Sequence, residues 1–283
     1  MEGRCGECAN EWQPPGPERE RSVTNVLDLT VLRCGTAFAA RPTGAGSDAA
    51  AGVVSEPILA YLVRTLNGVV LFDTGLDRRH LADPVRRAAM FSAAGWPAPP
   101  VVGEGEDLVS QLARQGLRPE DIDHVVVSHL HADRTGGLKA TPRAHKTLQR
   151  AEHAAAFAPE GAPDARYLPL DYDLASVTFD VVDGDTVLDE GLTVVATPGR
   201  TVGHQSLIVE LAGTGPVILA AGACGSRADL AAAVPPSPCR DAAAALASLR
   251  RLDALAWTLG AEILVGDDAR RVGTLGRAAE QHA

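Results

Sequence analysis

The sequence predicts a layered α/β fold, because two of its apolar runs each follow a predicted helix. Val125–Val127 is a β-branched run typical of a buried strand, and an amphipathic helix is predicted before it over Asp107–Gln115. A long helix over Asp241–Leu259 precedes a second apolar run at Glu262–Val265. Helices that lead into buried strands are expected to pack in layers on a sheet. With 283 residues and an apolar content of 46%, the chain is large enough for a substantial core.

Strands dominate the predicted elements of the first part of the chain. Apolar residues predict a first strand over Val26–Cys34, followed by a loop rich in glycine and alanine at Arg41–Gly52. Asn67-Gly68 is a strong signal for a type I′ turn. Strands at Ile58–Arg64 and Val69–Asp73 are therefore expected to form a hairpin.

The remaining predicted elements mix helices, strands and loops. A helix is predicted over Arg78–Met90, and Lys146–Ala156 predicts a strand that runs into a helix. The Ala162–Ala175 region is loop-like, residues 177–197 are rich in hairpin signals, and Val217–Ala221 predicts a further strand.

Charge and composition exclude several classes of protein. The formal net charge is −10 and no run of lysine or arginine is present, which argues against a nucleic-acid partner. No apolar run approaches the roughly 20 residues of a membrane-spanning helix, so no membrane partner is expected. Arginine far outnumbers lysine, which together with the many alanines is typical of a GC-rich bacterial genome.

Residues 1–22 are polar and proline-rich and are predicted to form a flexible tail before a single domain over residues 23–283. The tail has no apolar secretory signal, so we expect a cytoplasmic location with the five cysteines as reduced thiols. Cys5 and Cys8 have the spacing of a zinc knuckle, but no second pair or nearby histidine completes four ligands. The tail is therefore expected to carry two free thiols.

The segment directly after the predicted strand at Val125–Val127 carries the chemistry. His129, His131 and Asp133 occupy alternate positions there, and residues i, i+2 and i+4 of an extended segment face the same way. Two glycines then allow the backbone to turn. Two imidazoles and a carboxylate that converge at a strand end can form a metal site.

This segment resembles the His-x-His-x-Asp-His signature of the metallo-β-lactamase superfamily, in the form used by its lactonase-like members. Two further segments carry the resemblance. Asp73-Thr74-Gly75 is similar to a turn of this family, and Thr197–Leu207 is similar to its Thr-Pro-Gly-His-Thr-x-Gly-His-x-Ser segment. The resemblance implies an αββα sandwich, in which Asp73 and His204 support the loops of the site and the Ala162–Ala175 loop covers it.

The chain departs from the family at four of the seven positions that hold two metals in relatives. Arg134 and Arg200 each replace a metal-binding histidine, and Asp267 replaces another. Ala223 stands where the resemblance places a metal-bridging aspartate. A guanidinium stays protonated and offers no lone pair to a metal. The substitutions therefore imply a degenerate metal site, with no dinuclear centre and no cofactor expected.

Charge replacement is the interpretation that we favour for these substitutions. In this interpretation, the guanidiniums of Arg134 and Arg200 replace the positive charge that the metal ions supply in relatives. The carboxylates of Asp133 and Asp267 can then pair with the two arginines. An arginine at such a site can polarise a carbonyl or bind a carboxylate or phosphate group. Either histidine is then available as an acid or base. The catalytic candidates are His129, His131, Asp133, Arg134, Arg200 and Asp267.

Two more residues are candidates for substrate binding, together with Arg134 and Arg200. Ser226 stands where lactonases have a catalytic tyrosine. Cys224 lies beside the lost bridging position, where it is either a reactive thiol or a small buried hydrophobe.

The function predicted from these residues is that of a divergent, metal-independent enzyme. Its substrate is expected to be a small, anionic carbonyl compound such as a lactone, ester or thioester, opened by hydrolysis or by a related lyase or cyclase step. One alternative is a non-catalytic small-molecule binder or structural partner. Another is a mononuclear zinc or iron enzyme that uses His129 and His131 with a carboxylate from Asp133 or Asp267. The sequence holds no signal for the oligomeric state.

Overall fold

The computed structural model describes residues 24–42, 51–161 and 164–266, and it places two β-sheets face to face between outer helices. The tail predicted for residues 1–22, with Cys5 and Cys8, lies outside the described residues, and so does Asp267. The domain boundary predicted at residue 23 therefore stays a prediction.

The first sheet of the described chain has six strands, which lie side by side in sequence order. Its first three strands pair antiparallel, and the rest pair in parallel. The strands are β1 (Val26–Pro42), β2 (Ala51–Thr65), β3 (Gly68–Phe72), β4 (His124–Val126), β5 (His145–Gln149) and β6 (Asp180–Val182). The carboxyl ends of the parallel strands meet at one edge, where the polar segments at Asp73 and Ser128 follow β3 and β4.

The second sheet has five strands in the described residues, in the order β11-β10-β9-β8-β7. All of its pairs are antiparallel except β10 with β11, which run in parallel. The strands are β7 (Thr186–Asp189), β8 (Leu192–Ala196), β9 (Gln205–Leu211), β10 (Gly215–Ala221) and β11 (Glu262–Val265).

Seven α-helices connect the strands of the described chain. They are α1 (Pro84–Ala93), α2 (Leu108–Arg114), α3 (Ala132–Thr135), α4 (Arg150–Ala156), α5 (Pro169–Tyr172), α6 (Arg227–Ala231) and α7 (Ala242–Leu259). In the parts of the chain that the structure covers, none of these helices is both long and apolar enough to cross a membrane.

Three apolar clusters hold the layers together. Between the sheets, Phe72 and Val126 of the first sheet pack with Leu207 and Leu219 of the second. Residues of α1 and α2 cover the outer face of the first sheet, and Leu249 and its neighbours on α7 cover the outer face of the second. The order helix, sheet, sheet, helix confirms the predicted αββα sandwich.

The observed elements differ from the predicted ones at a proline and at a strand that is extended by pairing with its neighbour. The helix predicted over Arg78–Met90 is split into a 3-10 turn at Arg78–Leu81 and a helix that begins at Pro84, because proline fits the first turn of a helix but not its interior. The first strand extends to Pro42 because it pairs with β2 along its whole length. The predicted loop over Ala162–Ala175 contains the short helix α5.

Candidate functional site

The carboxyl end of β4 brings His129, His131 and Asp133 together. One possible ligand atom of each side chain lies within 4.8 Å of the others, and all three side chains are buried. Their geometry differs from that of an extended strand. His131 is the N-cap of α3, so Asp133 lies in the first turn of that helix.

Asp73 orients His129 through Ser128. The backbone of Asp73 has a φ of 63°, a conformation that is uncommon for residues other than glycine. Its carboxylate accepts hydrogen bonds from the Ser128 backbone N–H at 2.7 Å and from the Ser128 hydroxyl at 2.8 Å. Because that hydroxyl donates to Asp73, it accepts the proton on Nδ1 of His129, at 2.9 Å. The Nε2 atom of His129 therefore carries a lone pair, and it has no hydrogen-bond partner among the described residues.

The segment after residue 163 packs against His131. Tyr167 presents its ring edge-on to the imidazole, with the ring centroids 5.1 Å apart. Asp164 Oδ2 lies 3.6 Å from His131 Nε2, which is too long for a hydrogen bond but close enough for attraction. Burial alone would raise the pKa of Asp164, but the His131 ring and the Arg166 N–H hold it at about 2. This segment therefore forms part of the surroundings of His131.

Both histidines are electrically neutral in this environment. Burial lowers the pKa of His129 well below its ordinary value, and the neighbouring His131 ring adds to the effect. Burial also lowers the pKa of His131, although Asp164 opposes the shift. Neither ring nitrogen of His131 has a hydrogen-bond partner within the described chain. The two rings offer basic nitrogens rather than positive charge.

Arg134 lies beside the carboxylates of this centre. Its Nε atom is 3.3 Å from Asp133 Oδ2 and 3.9 Å from Asp73 Oδ2. Burial raises the pKa of Asp73 to about 7, although the Arg134 guanidinium opposes the shift. Burial would also raise the pKa of Asp133, but Arg134 and its neighbours outweigh that effect and keep the pKa below its ordinary value. Asp133 is therefore an ionised carboxylate next to a fixed cation.

Position 222 faces this centre, and position 223 does not. A side-chain carbon on Gly222 would lie 3.1 Å from His129 Cε1, 3.2 Å from Arg200 Cγ and 3.4 Å from His204 Nε2. Ala223 packs in the apolar cluster outside the second sheet. Gly222, rather than Ala223, is therefore the residue of this turn that faces the centre, and the assignment of the family's bridging position to Ala223 stays a prediction. The backbone turns just before Gly222, since Ala221 has a φ of 46°.

His204 closes the loop that carries Arg200. Its Nδ1 atom bonds with Thr197 Oγ1 at 2.9 Å, and its carbonyl accepts the Thr197 backbone N–H at 2.9 Å. Burial lowers the pKa of His204 to about 3, and Arg200 adds to that shift. The Arg200 guanidinium donates to the carbonyl of Pro238. The loop thus places the stem of Arg200 beside Gly222 and extends its guanidinium toward residues 236–238.

Two adjoining cavities open onto these residues. The first, of about 260 Å³, is lined by Asp133, Arg134, Gly222 and Cys224, together with apolar residues of β1 and β2. The second, of about 410 Å³, reaches His131 and Asp164. The cavities share the walls formed by Gly95, Arg166, Arg200 and Pro238. Their combined volume suits a small organic molecule.

The remaining three predicted site residues have different outcomes. Ser226 does not line either cavity, because its hydroxyl caps α6 by accepting the Asp229 N–H and donating to the Asp229 carboxylate. Cys224 is fully buried and its thiol donates to the Ser226 carbonyl, although the residue borders the first cavity. Asp267 lies outside the described residues, so its pairing with an arginine stays a prediction.

Glu152 is a residue of the site that sequence reasoning missed. Its carboxylate is fully buried and accepts hydrogen bonds from the Leu130 N–H at 2.9 Å, the Tyr167 hydroxyl at 2.9 Å and the Gly203 N–H at 3.1 Å. Leu130 belongs to the loop of His129 and His131, Tyr167 to the segment after residue 163, and Gly203 to the loop of His204. One carboxylate therefore ties three segments of the site together. The similarity of residues 148–152 to a segment of the same family was the only available signal.

A second cluster of similar composition lies nearby. One possible ligand atom each of Asp77, His80 and Asp171 lies within 4.8 Å of the others, and all three residues are buried. Here the protein supplies the cation. Lys139 Nζ lies 2.9 Å from Asp77 Oδ2 and 3.1 Å from Asp171 Oδ1. The other Asp171 oxygen accepts the Thr135 hydroxyl at 3.2 Å.

Comparisons with known proteins agree with this geometry. The family described as the metallo-beta-lactamase superfamily matches residues 55–256. The N-acyl homoserine lactonase AttM of Rhizobium johnstonii is 27% identical over 91% of this chain and 97% of its own. An N-acyl homoserine lactonase of a Bacillus species is 32% identical over 69% of this chain and 75% of its own.

A solved structure shares the same architecture. It is that of a mutant of AiiA from B. thuringiensis with N-decanoyl-L-homoserine bound at its active site, and it superposes with a TM-score of 0.77 at 26% identity. The alignment covers 88% of this chain and 96% of AiiA. The family match covers more than half of the sequence, and the relatives fall in one branch of the family. This chain belongs to the metallo-beta-lactamase superfamily, in its lactonase-like branch.

Proposed function

We propose that this protein is a lactonase-like hydrolase that opens a small lactone, ester or thioester with groups of its own chain, without a dinuclear metal centre. The observation that carries the proposal is the set of buried nitrogen and oxygen atoms of His129, His131 and Asp133 that have no hydrogen-bond partner in the described residues. A buried polar atom without a partner costs about 1–3 kcal/mol, so such a set is expected where a ligand binds. The relatives named N-acyl homoserine lactonases support a lactone as the substrate class.

In the proposed reaction, a neutral histidine takes a proton from water. Both imidazoles are kept neutral by burial, and the hydrogen bond from Nδ1 of His129 to Ser128 leaves its Nε2 atom free to accept that proton. The hydroxide attacks the substrate carbonyl, and the negative charge on the carbonyl oxygen is stabilised by Arg134 and Arg200. The bond to the leaving oxygen then breaks, and the histidine returns the proton to it. Opening a lactone in this way consumes one water and yields one hydroxy acid.

The residues present do not fit two metal ions. Arg134 and Arg200 stand at positions where the resemblance has metal-binding histidines. Gly222, which faces the centre, has no carboxylate that could bridge two metal ions. A guanidinium beside a metal would also repel it. A two-metal centre therefore has no part in the proposed reaction.

A second candidate function has one specific observation in its favour. The donor atoms of His129, His131 and Asp133 lie within 4.8 Å of one another, and this two-histidine, one-carboxylate set fits a single zinc or iron ion. Such an ion would lower the pKa of a bound water and so supply the nucleophile. The Arg134 Nε atom, 3.3 Å from Asp133, argues against this candidate because it already neutralises one of the donors.

Metal analysis combined with turnover separates the candidates. We expect elemental mass spectrometry of protein purified without added metal to find less than about one tenth of an ion per chain, and lactone turnover to survive a chelator. One tightly held zinc or iron per chain, with turnover lost on chelation, would establish the mononuclear enzyme instead. If lactones, esters and thioesters are all left intact, the protein is a binder and the proposal is wrong.

A further inference from the structure

We propose that the cleft contains a separate subsite for an anionic group, a carboxylate or a phosphate, centred on Arg166. The inference rests on the proposed function, because it adds a charged group to the substrate described above. Arg166 was not among the residues singled out by the sequence. The structure places it in the wall that the two cavities share.

The guanidinium of Arg166 is held in place by neutral groups. Its Nε atom donates to the Ala94 carbonyl at 3.1 Å, and one terminal nitrogen donates to the Gly95 carbonyl at 3.4 Å. The guanidinium carbon lies 5.5 Å from the centre of the Trp96 ring. Backbone carbonyls and an aromatic face fix the orientation of the cation but do not neutralise it.

Arg166 forms no ion pair with a carboxylate among the residues that the structure describes. In the described chain no acidic oxygen lies within 4.0 Å of the Arg166 guanidinium, and the adjacent Asp164 bonds with the Arg166 backbone N–H instead. The side chain is only partly exposed, and burial lowers the pKa of Arg166 without bringing it near neutral pH. A half-buried cation of this kind is expected to attract a counter-ion.

The surroundings reinforce this attraction. The walls of the two cavities hold four arginines and three carboxylates, Arg134, Arg166, Arg200, Arg240, Glu56, Asp133 and Asp164. The cleft therefore has an excess of one positive charge in a protein whose formal net charge is −10. Because Asp133 borders the same cavity as Arg166, one small molecule can reach both the reacting centre and this cation.

Binding of a matched pair of ligands tests the subsite. The probes are glutarate, which carries two carboxylates, and glutaramide, the diamide that has the same carbon chain without charge and no ester bond to hydrolyse. We expect calorimetry to show that the wild-type protein binds glutarate at least ten-fold more tightly than the diamide. Arg166→Met should weaken glutarate binding by roughly 10- to 100-fold, and Arg166→Lys by less, since lysine keeps the charge and loses the planar fork.

The control is the same substitution at an arginine that does not line the cleft. Arg150 pairs with Asp183 on the surface at 2.9 Å, so Arg150→Met should leave glutarate binding unchanged. Competition with inorganic phosphate distinguishes the two anions, because a phosphate subsite binds the free ion and a carboxylate-specific one does not. Equal affinity of the wild-type protein for glutarate and glutaramide, or unchanged glutarate binding by a folded Arg166→Met variant, would overturn the inference.

The subsite and the proposed function can fail independently. Turnover of an uncharged γ-lactone by the wild-type protein reports on the reaction alone. Glutarate binding by the His129→Ala variant, which should not turn over substrate, reports on the subsite alone.

Discussion

The two clusters of histidine and aspartate have nearly the same composition and opposite surroundings. In the cluster of His129, His131 and Asp133, both rings and the carboxylate keep buried atoms without hydrogen-bond partners in the described chain. In the cluster of Asp77, His80 and Asp171, the Lys139 ammonium lies between the carboxylates, and His80 Nε2 donates to Asp171 at 2.7 Å. The first arrangement suits a ligand, and the second suits a stable fold. Residue types alone do not separate a functional centre from a structural network.

The comparison predicts that substitutions in the first cluster reduce activity and leave stability almost unchanged. His131→Ala and His129→Ala should each lower kcat/KM for lactone opening by about 10²–10⁴-fold, the range expected for loss of an acid or base. Their midpoints of urea denaturation should stay close to that of the wild-type protein. His129→Ala loses one hydrogen bond to Ser128, but each substitution also removes at least one buried nitrogen atom that has no hydrogen-bond partner in the described chain. A large loss of stability with normal turnover would reverse the roles assigned to the two clusters.

Lys139→Met should have the converse effect. It removes the cation that lies between the buried carboxylates of Asp77 and Asp171 and leaves only Arg79 paired with Asp77 in the described chain, which we expect to cost about 3 kcal/mol in the free energy of unfolding. Turnover per folded molecule should change little, because Lys139 does not border either cavity. Urea denaturation measures the loss, with the exposed Arg150→Met as a matched control that should cost less than about 1 kcal/mol.

Glu152→Gln tests whether a residue outside the first cluster positions its histidines. An amide has one accepting oxygen where the carboxylate has two, so one of the three donors from Leu130, Tyr167 and Gly203 loses its partner. We expect a cost of about 1–3 kcal/mol in stability and roughly a ten-fold decrease in kcat with little change in KM. Tyr167→Phe removes one donor only and should have the smaller effect on kcat. Equal kcat in all three proteins would show that Glu152 has no part in positioning the histidines.

The second cluster should also determine part of the acid stability. Burial would raise the pKa of Asp77, but its hydrogen bonds with Arg79 and Lys139 lower it to about 2, against about 4 in an unfolded chain. Because the folded-state pKa is the lower one, this stabilisation is complete above about pH 4 and is lost as the pH falls through about 2. The expected loss is about 2 kcal/mol. Denaturant titrations at several pH values should show this slope in the wild-type protein and a weaker one in Asp77→Asn.

Local patterns were sufficient to predict the fold and the centre of the site. The β-branched run before Ser128 led to an observed strand, and the hairpin predicted around Asn67-Gly68 is present. The type I′ turn predicted there is wrong, because the two loop residues are Leu66 and Asn67 and Asn67 does not have a positive φ. Alternate spacing predicted the convergence of His129 with His131. These signals lie within a few residues of the element that they predict, so they can be recognised without knowledge of the tertiary structure.

The features of the site that the sequence did not predict depend on contacts between segments that are distant in sequence. Arg166 and Glu152 gain their roles only when residues 164–172 fold over His131, and Lys139 meets Asp171 across 32 positions of sequence. The placement of Gly222, rather than Ala223, beside the centre was not visible in the sequence either. Ala221 has a left-handed backbone, and nothing in an alanine-rich run indicates that conformation.

The tight packing around Gly222 couples positions 129, 200 and 222. An aspartate at position 222 would press its first side-chain carbon against Arg200 Cγ and His129 Cε1, at 3.2 and 3.1 Å. Histidine, like arginine, has a carbon at the γ position, so replacing Arg200 with histidine does not by itself remove the first contact. A carboxylate at position 222 therefore requires small shifts of both neighbours, and its effect on stability is expected to depend on the residue at position 200.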